Sequence, residues 1–177
     1  MRTLGHGSVS SFLKVILDVF YFTLLIAAAV VALGIVAVLL LSFRPDLLGS
    51  HLKIDELRID GPWLGPLAAA VLLGVELYIA GSIIIVGRLR MIFRTLIAGD
   101  PFHPDNVPRL RVIGSALAAL EIGRYIAAAI SHMFFHGAAH VGASINLTTW
   151  FAVLVIVVLA EVFREGARLR GEAELTI

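Results

Sequence analysis

Three charged side chains lie where charge is most costly. Glu76 sits about midway along an apolar run from Leu64 to Gly87, and Glu121 and Arg124 stand one helical turn apart in a second run from Val112 to Phe135. Ionised groups at the centre of a bilayer cost several kcal/mol unless they are paired or face water. Counted at 1.5 Å per residue, Glu76 lies about 18 Å from the start of its run, and Glu121 about 14 Å from the start of the next, antiparallel one. The two acids therefore share a depth, and Arg124 is expected to bridge them. As a clamp, this cluster fixes the register of two helices. Two acids with one arginine also leave an excess negative charge, the ingredient of a ligand, ion or proton site.

A second candidate site is the histidine series His132, His136 and His140, spaced by four in SHMFFHGAAH. On one helix, neighbours at that spacing share a face, as in two-histidine metal ligation. No carboxylate lies nearby in sequence to complete a set, and Gly137 can end the helix before His140. No cofactor is expected.

The third candidate is a surface. Arg88, Arg90, Arg94, Arg109 and Arg111 separate the second and third apolar runs, and Arg164, Arg168 and Arg170 follow the fourth. Guanidinium groups at a membrane surface bind lipid phosphate, at about 1 kcal/mol each, or an acidic partner.

The elements that position these groups are four apolar runs, at 15–43, 64–87, 112–135 and 144–163. About 20 apolar residues span a hydrocarbon layer as helix, so the fold class is all-α, a polytopic bundle of four transmembrane helices in a single domain. The apolar fraction of 59% and the charged fraction of 15% fit that class, since a globular chain carries nearer a quarter charged residues. The chain has no cysteine, which excludes disulfides, thiolate metal sites and a cysteine nucleophile. Ten basic residues fall on one side of the spans and three on the other. The positive-inside rule then places both termini in the cytoplasm, with 44–63 as an outer loop, 88–111 as an inner loop and 164–177 as a cytoplasmic tail. The net charge of +1 gives no pull towards nucleic acid, and no direct nucleic-acid binding is expected.

Within the inner loop, Gly99 suits the position after the last turn of a helix. Asp105 or Asn106 can cap the next helix, with Pro108 in its first turn. Ser115, Ala119, Gly123, Ala127 and Ser131 recur every fourth residue. Such a small-residue stripe lets another backbone approach, either within the protomer or across a homodimer. In the tail, Phe163 and Ala167 share one side and are expected to pack near Met91 and Arg94. Gly171 is expected to stop the helix.

Phosphate-binding glycine loops and nucleophile elbows are missing from the sequence. The inner loop GDPFHPDNVPRLRVIG, the stretch GASINLTTW and the ending LAEVFREGARLRGEAELTI together resemble a bacterial family of small four-span membrane proteins, domain of unknown function 2975. The resemblance runs from the first span to the last residue and implies a bacterial inner-membrane location. Members are often encoded beside a small helix-turn-helix regulator, which implies a membrane partner that holds or modulates a transcription factor. The expected function is a non-enzymatic regulator that docks a cytoplasmic protein through the inner loop and tail. The rival is a small transporter or ligand-binding protein built on Glu76, Glu121 and Arg124.

Overall fold

The computed structural model describes residues 6–42, 64–134 and 145–174. It contains four helices: α1 (His6–Ser42), α2 (Leu64–Ile97), α3 (Asn106–Phe134) and α4 (Leu147–Glu174). No strand occurs among the described residues. All four helices are long and apolar enough to cross a membrane, and their outward faces carry the side chains expected of such helices: Phe20, Ile26, Leu33 and Leu40 on α1, Phe151 and Leu154 on α4. A water-soluble bundle would bury these side chains.

The helices pack in chain order: α1 on α2, α2 on α3, α3 on α4. Among the described residues, the α1 backbone approaches α2 alone. The bundle is therefore an open row at its α1 edge. The α2–α3 register is set where Gly81 meets Leu120; a Cβ on Gly81 would lie 2.6 Å from the Leu120 side chain. Gly114 of α3 lies against Ile156 of α4.

The buried core sits at the arginine-rich end. Ile92 of α2, Leu110 and Ile113 of α3 and Ala160 of α4 form it, with Ile85, Leu89, Leu117, Ile156 and Phe163 packed around. Away from this end few side chains are buried, because lipid offers apolar groups a solvent as good as the protein interior. The stripe Ser115, Ala119, Gly123 and Ala127 is exposed and Ser131 half-buried. That stripe serves none of the helix contacts described above; Gly123 has open space where a Cβ would be.

Candidate functional site

The arginine-rich end is built around the α2–α3 connection. α2 stops because Gly99 takes φ +82°, a conformation only glycine adopts without strain. The Gly99 N–H bonds the Leu96 carbonyl at 3.1 Å and the Asp100 N–H bonds that of Thr95 at 3.0 Å, the paired bonds of a Schellman end. Pro101, His103 and Pro104 follow, and α3 begins at Asn106 with Pro108 in its first turn. The stop at Gly99 and the place of Pro108 are as the sequence suggested, but the side chains of Asp105 and Asn106 bond groups other than a first-turn backbone N–H.

Asn106 does more than begin a helix. It is 0% exposed, and every polar atom of its side chain is used. Nδ2 donates to Thr95 Oγ1 at 2.8 Å and to the Pro101 carbonyl at 3.0 Å, while Oδ1 accepts from Arg109 Nη1 at 2.9 Å. The Thr95 hydroxyl donates onward to the Ile92 carbonyl. Arg109 also reaches the Met91 carbonyl at 3.4 Å and Asp105 Oδ2 at 3.2 Å. One buried amide thus ties the end of α2, the loop and the start of α3 together, with both of its N–H donors used and its oxygen engaged.

The loop is fastened in turn to α4. The Phe102 ring lies 5.6 Å from that of Phe163, tilted by 53°. It also covers Gly166, where a Cβ would come within 2.5 Å of the ring. Asp100 accepts a hydrogen bond from Arg170. Phe163, Gly166 and Arg170 are spaced by three and four and so share one face of α4. Phe163 packs against the core containing Ile92, between Met91 and Arg94 as the sequence suggested, and its ring also meets that of Phe102, which the sequence did not suggest. α4 continues through Gly171 to Glu174, beyond the stop expected at that glycine. A glycine costs a helix interior only about 1 kcal/mol, and the Arg170–Asp100 contact and the Arg168–Glu172 pair flank it.

The eight arginines expected to face a partner or lipid divide into three groups. Arg90, Arg109 and Arg170 are engaged between elements. Arg90 Nη2 lies 2.6 Å from Asp18 Oδ1, its guanidinium stacks 4.4 Å above Tyr21, and its side chain is only 17% exposed. That set joins α1 to α2. Arg164 and Arg168 pair along α4 with Glu161, Glu165 and Glu172, all well exposed. Arg88, Arg94 and Arg111 have no ion pair among the described residues, although Arg88 Nη1 lies 3.8 Å from the Met91 sulfur.

The intramembrane charges are arranged differently from the expected bridge. Arg124 Nη2 lies 2.6 Å from Glu121 Oε1 within α3, and Glu121 is 6% exposed. The Arg124 guanidinium sits 5.0 Å from the centre of the Tyr125 ring. The Tyr125 hydroxyl accepts from Trp150 Nε1 at 3.1 Å and from the Asn146 N–H at 3.3 Å, fixing this pair to the start of α4. Glu76 comes within about one helical turn of the expected depth: five residues from Gly81, which meets Leu120, it falls level with Tyr125 and not with Glu121. Its direction is another matter. Leu72, Gly87 and Arg90 meet Gly34, Tyr21 and Asp18 of α1, and Glu76 lies on that stripe, about 140° around the helix from Gly81. Glu76 makes no ion pair among the described residues, and its Oε2 is enclosed without a hydrogen-bond partner. The cluster is thus a Glu121–Arg124 pair on one seam and a lone carboxyl group facing another.

His136 and His140 lie outside the described residues, as does the side chain of His132. Among the described residues, no three histidines or acids gather as a metal site would require.

Sequence reasoning missed the Asn106 hub, the Asp18–Arg90 link and the seating of Phe102 on Gly166. The spacing of Phe163, Gly166 and Arg170 was a usable signal, since a glycine between a large and a charged residue on one helix face marks a place where something is seated.

The chain belongs to the family described as protein of unknown function (DUF2975), whose model matches residues 11–177. No curated protein and no solved structure matches it.

Proposed function

We propose that this chain is a non-enzymatic membrane protein that docks a cytoplasmic protein on its arginine-rich end, a small helix-turn-helix transcription regulator being the class of partner in view. One observation carries the reading: residues 100–109 and 163–170, far apart in sequence, are locked into a single body by Asp100–Arg170 and by Phe102 against Phe163 and Gly166. A connection that served only to join two spans would need neither contact. The excess of basic residues at this end supports its placement in the cytoplasm. The body offers a partner the exposed edge of Phe102, Leu169, and the charged ridge of Glu165 and Arg168. Apolar groups ringed by charge are the composition of a protein interface.

The test uses the full chain extracted from native membranes in mild detergent. Proteins that co-purify are identified, produced separately and titrated against the purified chain. Replacing Leu169 and Arg168 together by Ala should weaken binding at least tenfold while leaving helix content and melting unchanged. Unchanged affinity would remove this surface from consideration.

A second reading, a ligand- or ion-binding protein, draws on Glu76. A carboxyl oxygen enclosed without a donor is chemically open to a cation or a proton. It predicts that Glu76→Gln abolishes function with the arginine-rich end intact.

A further inference from the structure

Charge at the arginine-rich end does not balance evenly. Asp18, Asp100, Asp105, Glu161, Glu165 and Glu172 are each already paired with an arginine. Lys14, Arg88, Arg94 and Arg111 make no ion pair among the described residues.

Two of these four are placed together. Asp18 of α1 and Arg90 of α2 are bonded across the seam, and the helices run antiparallel. Four residues back from Asp18 is Lys14; four residues on from Arg90 is Arg94. A step of four keeps each side chain on nearly the same face, one turn further along. Lys14 and Arg94 are therefore cations at matching positions of two packed helices, one turn beyond a satisfied pair, and both are exposed. Two facing cations repel unless an anion lies between them. Beside them the Arg90 Nε is enclosed and has no hydrogen-bond partner.

We infer that the α1–α2 seam at Lys14 and Arg94 binds the phosphate of an anionic phospholipid headgroup. The surroundings select lipid over a free anion. Val15 on α1 is next to Lys14, and Met91 and Ile97 on α2, three residues to either side of Arg94, flank it; all three are exposed apolar side chains. Acyl chains would cover these groups while the headgroup answers the charges, whereas inorganic phosphate or an acidic peptide would leave them in water. The site lies on the α1 side of α2, away from Phe102 and α4, and does not rest on the docking reading.

The experiment is native mass spectrometry of the full-length protein in detergent, titrated with phosphatidylglycerol or with phosphatidylcholine of the same acyl chains. At about 1 kcal/mol per basic residue, two cations give a preference of about thirtyfold for the anionic lipid. Lys14→Gln or Arg94→Gln alone should each lose about fivefold of it, and the double variant nearly all. The exchange Lys14→Arg with Arg94→Lys should retain the preference, which separates loss of charge from loss of fold. Equal binding of the two lipids by the unaltered protein would overturn the inference. So would competition by millimolar inorganic phosphate, or an equal loss on replacing Arg88 and Arg111. A double variant that kept its lipid preference and instead lost a bound protein would reassign the seam to an acidic protein surface.

Discussion

The arginine-rich end and the middle of the bundle hold their charges differently. At the arginine-rich end, polar side chains bind across elements: Asn106 joins α2, loop and α3, Asp100 meets Arg170 across 70 residues of sequence, and Arg90 joins α2 to α1. Deeper in the row, Arg124 answers Glu121 three residues away on its own helix, and Glu76 answers nothing among the described residues. A pair within one helix forms wherever that helix forms. A pair between elements requires a particular tertiary arrangement. The arginine-rich end is accordingly where this sequence most closely specifies one structure, and deeper in the row the bonds of Tyr125 to Trp150 and Asn146 add to the apolar contacts.

That contrast can be broken most severely at Asn106. Asn106→Ala strands the Pro101 carbonyl, the Thr95 hydroxyl and part of the Arg109 guanidinium in a buried site. The expected loss is about 3 kcal/mol, at one to a few kcal/mol for buried groups left unpaired. A fall in the detergent melting temperature, with new proteolysis between 98 and 105, would show it. A neutral result would mean the hub does not hold the loop.

Next in size is Gly166→Leu. The new side chain occupies the seat of the Phe102 ring, so the loop should lift from α4, at about 1–3 kcal/mol for forced overpacking. Proteolysis at the loop should rise without change in the α1–α2 contact. Arg90→Ala should act on the other seam. It removes the bond to Asp18 and the stacking on Tyr21, about 1–2 kcal/mol together. Because the chain has no cysteine, a Cys pair at Ser42 and Gly65 can report α1–α2 separation. Slower disulfide formation is the expected readout.

Smallest is Glu76→Leu. Replacing a carboxyl that lacks a hydrogen bond by an apolar group of similar size should leave melting unchanged or raise it slightly. A marked loss of stability would show that Glu76 has a partner outside the described residues.

The four helices were legible because spanning length and apolar content are properties of the chain alone. The turn at Gly99 was legible for the same reason: the glycine and Asp100-Pro101 follow each other directly. Glu76 shows where such reasoning stops. Rise per residue gives depth from counting, and the depth was right to within about one helical turn. The direction of a side chain matters only against known neighbours, and the stripe through Leu72, Gly87 and Arg90 becomes an α1 face only once Gly34, Tyr21 and Asp18 are seen opposite it. Asn106 read as a cap because capping is local, whereas its bonds to Thr95 and Arg109 exist only after α2 and α3 have paired. The contact of Phe102 with Gly166 depends on how far α4 extends past the membrane surface, which neither segment encodes by itself.

The claim that function resides in the loop and α4 rather than in the intramembrane charges is tested most directly by one binding series. A cytoplasmic protein identified by co-purification is titrated against three forms of the full chain: unaltered, Phe102→Ala with Arg170→Ala, and Glu76→Gln with Arg124→Gln. The account predicts at least a tenfold loss of affinity for the second form and an unchanged affinity for the third. Retained binding by the second form with loss in the third would contradict it and move the site to the carboxyl groups between the helices.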